Sequence, residues 1–213
     1  MYKMGYFFIS VLMFISQLAF SQKSNFIPVK NLSEFKTKFS TASQKIESVE
    51  SDFMQVKNLS MLKEKMNSKG KFFYKKINKV RIEYTSPYEY LMVINNNNMM
   101  IKDNQKTSNY NSKNNKMMQS INNIMLDCMR GTVYDNKEFS TDAFENNNEY
   151  LLTMKPVSSV MKKMFSMIEV YLAKNDFHVT RLNMIENGGD NTMMNFTNSL
   201  LNKNISDAYF NTK

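Results

Sequence analysis

Apolar and polar residues alternate along residues 70–103, in a pattern that predicts two β-hairpins back to back. The alternating apolar residues are Phe72, Tyr74, Val80, Ile82 and Tyr84. A period of two is typical of a strand whose two faces differ. Residues 91–94 and 99–103 form the second hairpin around an asparagine run, and asparagine tolerates the positive φ of tight turns. The pattern therefore predicts a sheet with one apolar face and one charged face.

Two amphipathic helices are predicted, one before these hairpins and one after them. Apolar residues recur at helical spacing from residue 32 to residue 46, behind the candidate cap residues Asn31 and Ser33. Residues 116–130 repeat the pattern and end at Gly131, a residue common just after helix C-termini. The segment between the hairpins and the second helix, residues 104–116, is polar and without period. It predicts a loop.

The last third of the chain returns to a period of two. Residues 150–154 alternate before Pro156, residues 165–172 form a longer apolar run, and residues 180–186 alternate toward a tight turn at residues 187–190. An earlier strand begins at Val49. We therefore predict an α+β fold that is mainly β, with a strongly curved or barrel-like meander of antiparallel strands. Residues 205–210 form a short apolar segment expected to pack on the sheet.

The first 21 residues have the features of a cleavable secretory signal. Lys3 gives a basic start, residues 5–20 are apolar apart from three polar positions, and small residues precede an expected cut after Ser21. A membrane anchor is the alternative, but the apolar run falls short of the ~20 residues that span a bilayer. We expect an exported protein in which residues 22–213 form a single domain.

The charged and reactive residues favour binding over catalysis. The net charge is +9, but lysines are scattered among acidic residues, which is typical of a solvated surface and not of a nucleic-acid site. Cys128 has no cysteine to pair with and lies among apolar residues, so we expect a buried thiol. His178 is the only histidine, and no cluster of residues has the spacing of metal ligands or of a phosphate-binding loop. We predict no enzyme activity, cofactor or metal.

A surplus of aromatic residues and methionines has two possible uses. A single closed core could absorb most of them. A curved sheet that helices cover only in part would instead leave an apolar cavity, which is the usual form of a ligand site. Residue pattern alone leaves both possibilities open.

Several short motifs occur in the order found in one protein family. They are Phe53-Met54-Gln55, Gly70-Lys71-Phe72 with Lys75-Lys76 behind it, the run from Arg81 to Pro87, Val93-Ile94-Asn95 before the run at 99–103, and Met154-Lys155-Pro156. In this order, and behind a signal peptide, they resemble the periplasmic outer-membrane lipoprotein carriers of the LolA type. The resemblance extends from about Val29 to Phe210.

The resemblance implies an unclosed β-barrel with helices as a lid over an apolar cavity that holds the acyl chains of lipoproteins or related lipids. It also implies a monomer in the periplasm, an inner-membrane release machinery and an outer-membrane acceptor. The candidate cavity residues are Phe53, Phe72, Tyr74, Val80, Ile82, Tyr84, Leu91, Val93, Ile121, Ile124 and Met125. Lys76 is the candidate contact between lid and barrel, although Ile77 follows it where the family often has proline.

A second hypothesis assigns the chain to a different functional class. An exported β-rich module with a filled core would bind a protein or another partner in the cell envelope through its basic surface. Such a module would hold no lipid. Uptake of an acyl probe would distinguish the two hypotheses, because only a chain with an open cavity can take the probe up saturably.

Overall fold

Twelve strands and three α-helices form the described part of the chain, which is residues 26–61, 64–103, 106–111 and 116–212 of a computed structural model, without the side chains of residues 116–118 and 121. The strands are β1 (Ile27–Pro28), β2 (Ser48–Leu59), β3 (Glu64–Lys75), β4 (Lys79–Ser86), β5 (Tyr90–Asn95), β6 (Asn98–Asp103), β7 (Thr107–Asn111), β8 (Phe139–Glu145), β9 (Glu149–Pro156), β10 (Phe165–Ala173), β11 (Val179–Glu186) and β12 (Asn191–Leu201). The helices are α1 (Leu32–Gln44), α2 (Lys116–Arg130) and α3 (Ser159–Met164).

All twelve strands belong to one antiparallel sheet. The order across it is β1-β8-β9-β10-β11-β12-β2-β3-β4-β5-β6-β7. Sequence neighbours pair almost throughout, and β12 returns to lie beside β2. The edge strands β1 and β7 do not pair with each other, so the sheet is not closed. This confirms the predicted α+β, mainly β fold with an unclosed barrel.

The two long helices begin and end as their sequences predict. The side chain of Asn31 caps α1 by accepting a hydrogen bond from the backbone N–H of Glu34, at 3.1 Å. Gly131 follows α2 with a φ of 70°, a conformation that suits glycine, and a Cβ there would lie 2.9 Å from the Cα of Ser40. The end of α2 is thereby packed closely against α1.

Two segments differ from the sequence predictions or lie outside the description. Within the predicted loop at residues 104–116, β7 pairs with β6 as a polar edge strand. Its residues show no apolar alternation because they cover no core. The predicted signal at residues 1–21 lies outside the described residues. Among the helices of the described residues, none is long and apolar enough to cross a membrane.

The core is divided among three apolar clusters. Two lie on the inner face of the sheet, which is the face that the helices cover: one under α1 and α3, around Phe39 and Leu152, and one under α2, around Phe53 and Val80. The third lies on the outer face, where residues 205–210 cover Phe73 and Val93 as the sequence predicts. Because α2 contributes side chains to both inner clusters, it lies over the boundary between them.

Candidate functional site

An apolar cavity of about 240 Å³ lies on the inner face of the sheet, at the boundary between the two inner clusters. Strands β2 to β5 and β10 to β12 form its walls, and α2 covers it. Five of the lining residues are methionines: Met92, Met125, Met129, Met184 and Met194. Methionine is unbranched and flexible, so a wall rich in it can fit occupants of different shape.

The local structure explains why the cavity is apolar. On β4 and β11, alternate residues point inward, which brings Ile82 and Tyr84 from one strand and Leu182 and Met184 from the other into the wall. On α2, four lining residues recur at helical spacing and share one side of the helix: Ile124, Met125, Cys128 and Met129. The helix therefore presents one apolar side to the cavity.

A few polar groups interrupt this wall, and each has a partner. The hydroxyl of Tyr84 donates a hydrogen bond of 2.8 Å to Oε1 of Gln55, and burial raises the pKa of Tyr84 to about 12. The hydroxyl of Ser51 lies 2.8 Å from that of Ser199. These groups remain neutral at physiological pH, so they do not place a charge in the wall.

The reactive groups at the cavity do not form a catalytic arrangement. The ring of His178 contacts Asp176 through Nδ1, which matches the local side-chain to backbone geometry of a turn. Burial raises the pKa of the Cys128 thiol to about 12, so the thiol is not a ready nucleophile. Among the described residues, no three His, Cys, Asp or Glu side chains are grouped to hold a metal ion.

The predicted cavity residues fall into three groups. Five line the cavity: Phe72, Ile82, Tyr84, Ile124 and Met125. Phe53, Tyr74 and Val80 face the same way but are packed within the cluster under α2. Leu91 and Val93 lie on the outer face, in or against the third cluster, and their predicted inward orientation is corrected. The side chain of Ile121 lies outside the described residues.

The register of β4 and β5 explains the correction. Val93 pairs with Arg81 and Leu91 with Glu83, so both share the outer face of these charged residues. Met92 and Ile94 pair with Ile82 and Val80 and point inward instead. Residues 91–94 are apolar on both sides because residues 205–210 cover the outer face there. An uninterrupted apolar run does not reveal which of its residues point inward.

The sequence analysis missed most of the cavity wall from the second half of the chain. It comprises Phe165, Ile168 and Val170 of β10, Leu182 and Met184 of β11, and Met194 and Phe196 of β12. The alternation in β11 was visible in the sequence, but its partner across the cavity was not. Only the pairing of β12 with β2 brings these strands beside the first hairpins.

Lys76 connects the turn between β3 and β4 to the end of α1. Its Nζ donates a hydrogen bond of 2.8 Å to the backbone carbonyl of Gln44, the last residue of α1, and lies 2.8 Å from Oε1 of Glu47. A helix C-terminus favours a nearby cation because its last carbonyls lack partners. The contact joins helix to sheet, and a role in opening a lid remains a prediction.

Comparisons with solved structures support the same fold. An uncharacterized conserved protein from Thermus thermophilus matches with a TM-score of 0.51 at 8% identity, over 84% of this chain and 93% of that one. A LolA superfamily protein from Nitrosomonas europaea matches with a TM-score of 0.47 at 8% identity, over 84% and 96%. The lipoprotein LppX from Mycobacterium tuberculosis matches with a TM-score of 0.45 at 12% identity, over 81% and 96%.

Sequence comparison identifies the family. None of the curated proteins matches the chain. The family model described as outer membrane lipoprotein carrier protein LolA matches residues 44–213, which include β2 to β12, α2 and α3. This range contains almost the whole sheet and every strand of the cavity wall. The chain therefore belongs to the LolA family of outer membrane lipoprotein carrier proteins.

Proposed function

We propose that this protein carries the acyl chains of lipoproteins, or of related lipids, through the periplasm in the cavity beneath α2. The observation that carries the proposal is the apolar cavity of about 240 Å³, open in a chain that belongs to the LolA family. The proposal includes export by the predicted signal at residues 1–21 and a single carrier domain at residues 22–213.

The proposed mechanism is physical and needs no cofactor. Each acyl CH₂ group that leaves water gains ~0.8 kcal/mol, so a shielded apolar cavity makes an insoluble chain soluble. The neutral Tyr84–Gln55 pair offers no charge to a carboxylate or phosphate, which favours a hydrocarbon occupant. Release requires an acceptor with a better apolar site, because the cavity itself supplies no reaction.

The methionine lining supports a carrier of varied cargo. Met125 and Met129 of α2 face Met184 and Met194 across the sheet's inner surface, and their flexible side chains can rearrange around different chains. A carrier gains from such a wall, since lipoprotein acyl chains differ in length and unsaturation. A site for one small rigid molecule would instead favour branched or aromatic residues that hold fixed positions.

A titration with a fluorescent fatty acid tests the proposal. We expect saturable binding to the purified protein and strong weakening, by about tenfold or more, in Met184→Glu, because a carboxylate in an apolar wall opposes hydrocarbon. Met54→Glu is the matched control, since Met54 is 61% exposed on the outer face of β2. Far-UV circular dichroism verifies that both variants are folded.

The titration has clear contrary results. Absence of saturable binding to the unmodified protein would contradict the carrier proposal, as would equal loss of binding in the two variants. In the first case the second hypothesis, a binding module with a basic surface, would gain support. Mass spectrometry of lipids that copurify with the protein from its native host would identify the cargo class directly.

A further inference from the structure

The two ends of the barrel differ in how their lysines are paired. Antiparallel pairing places the ends of β2, β4, β9 and β11 together at one end, here called the Met61 end, and the ends of β3, β10 and β12 at the other, the Ile77 end. Most lysines at the Ile77 end are neutralised by carboxylates. The pairs are Lys75 and Lys79 with Asp207, Lys76 with Glu47, Lys174 with Glu145, and Lys203 with Glu50.

Lysines at the Met61 end are mostly exposed and unpaired. Lys65, Lys162 and Lys163 form no ion pair within the described residues. Lys57 is the exception, since it pairs with Glu186 at 3.3 Å. Glu64 is the exposed carboxylate beside Lys65. This end therefore carries free positive charge that the opposite end largely lacks.

Exposed apolar side chains accompany these lysines. Met61, in the turn after β2, is 92% exposed, and Val157, just before α3, is 49% exposed. Hydrogen bonds join the segments into one surface. The Asn187 side chain donates to the backbone carbonyl of Lys162, and the Ser60 hydroxyl donates to that of Gly188 at 3.0 Å. We call this surface, formed by Met61, Lys65, Val157, Lys162 and Lys163, the basic rim.

We propose that the basic rim docks on a membrane surface that contains anionic lipids. Protruding apolar side chains flanked by lysines suit a lipid interface, where the side chains enter the acyl boundary and the ammonium groups meet phosphates. A protein partner would favour arginine and aromatic residues, whereas lysine is depleted in protein interfaces. The free charge on this end alone provides the complementarity to an anionic surface.

The position of the rim relates docking to the cavity. Phe165 lines the cavity and follows α3 directly in the chain, and Met184 lines it shortly before the turn at residues 187–190. Docking through the rim would therefore hold this end of the cavity close to lipid. The inference goes beyond the carrier proposal and stands without it, since membrane docking needs no bound cargo.

Cosedimentation with lipid vesicles tests the inference. We expect the protein to bind vesicles that mix phosphatidylglycerol with phosphatidylcholine, to release them at high salt, and to ignore pure phosphatidylcholine. Met61→Asp and Lys163→Glu should each weaken binding about fivefold or more, because each lysine near an anionic surface contributes that much affinity.

Matched variants at the Ile77 end separate local docking from general charge attraction. Ile77→Asp places the same charge on an exposed apolar turn residue, and Lys45→Glu reverses an exposed lysine that follows a helix, as Lys163→Glu does within one. We expect both controls to bind like the unmodified protein, and any contribution of residues 1–25 is the same in all four variants. Equal weakening at both ends, or no vesicle binding at all, would overturn the inference while leaving acyl-probe binding as a separate result.

Discussion

Gly70 is the position at which a single methyl group should most disturb the cavity wall. It pairs with Phe53 on β2 and with Tyr84 on β4. A Cβ at Gly70 would lie 2.0 Å from the backbone oxygen of Glu83 and 2.8 Å from Cζ of Phe53. The first contact involves the backbone of the neighbouring strand, so it cannot be relieved by rotating a side chain. Glycine is required here by the close approach of Glu83 and Phe53.

The contacts set the expected size of the effect. Extra methylenes in a packed core usually cost about 1–3 kcal/mol, and a contact with backbone belongs at or above the upper limit, so we expect Gly70→Ala to lose about 3 kcal/mol. That is a large share of the roughly 5–15 kcal/mol that stabilises an ordinary domain. Phe53 also contacts Tyr84, with ring centroids 5.0 Å apart. Displacing Phe53 therefore disturbs the Tyr84 side of the cavity.

Urea unfolding followed by far-UV circular dichroism measures the change, since the chain has no tryptophan for fluorescence. A loss of this size should lower the midpoint by about 1–3 M urea, given the usual dependence of unfolding free energy on urea. Gly188→Ala is the matched control, because a Cβ at Gly188 would meet nothing within 4 Å. If Gly70→Ala unfolded at the same urea concentration as the control, the steric argument would be refuted.

Three further predictions concern reactivity, the outer face and acid stability. Since burial raises the pKa of Cys128 from 9.0 to about 12, a thiol reagent at pH 8 should label the native protein about a thousandfold more slowly than the urea-unfolded one, and equal rates would contradict the burial. Phe210→Ala should lower the unfolding free energy by about 3 kcal/mol yet leave acyl-probe binding to the folded fraction intact, because Phe210 is fully buried on the outer face. Hydrogen bonds from Lys75 and Lys79 hold the pKa of Asp207 below its model value of 3.8, so its contribution to stability is present above that pH and is lost as the pH falls further. Asp207→Asn should therefore flatten the acid side of the stability profile measured by urea midpoints.

Alternation predicted strand faces well where only one face of the sheet is covered. Ile82 and Tyr84 alternate with Arg81 and Glu83, and they line the cavity as expected. The method failed for Leu91 and Val93, because a segment more than a hundred residues later covers the outer face of β5. Such coverage follows from tertiary packing and leaves no trace in the local period.

A converse failure occurred at β7. Thr107–Asn111 covers no core on either face, so its residues are free to be polar, and the backbone alone pairs with β6. Backbone hydrogen bonds stabilise an edge strand without requiring an apolar pattern. The second half of the cavity wall was missed for a related reason, since only long-range pairing of β12 with β2 closes it around the first.

The division of the inner core explains why a cavity exists where one closed core could have formed. An unfilled cavity costs about 24 cal/mol per Å³, so about 240 Å³ forfeits about 6 kcal/mol relative to a packed interior, a cost comparable with the whole stability of many domains. The chain has the residues to fill this space, since methionines already line it from α2 and from β11 and β12. An interior shaped only for stability would bring α2 closer to the sheet and let these side chains interdigitate. The cavity is therefore best understood as space kept for an apolar occupant, whose binding would restore the lost contacts and stabilise the folded protein by mass action.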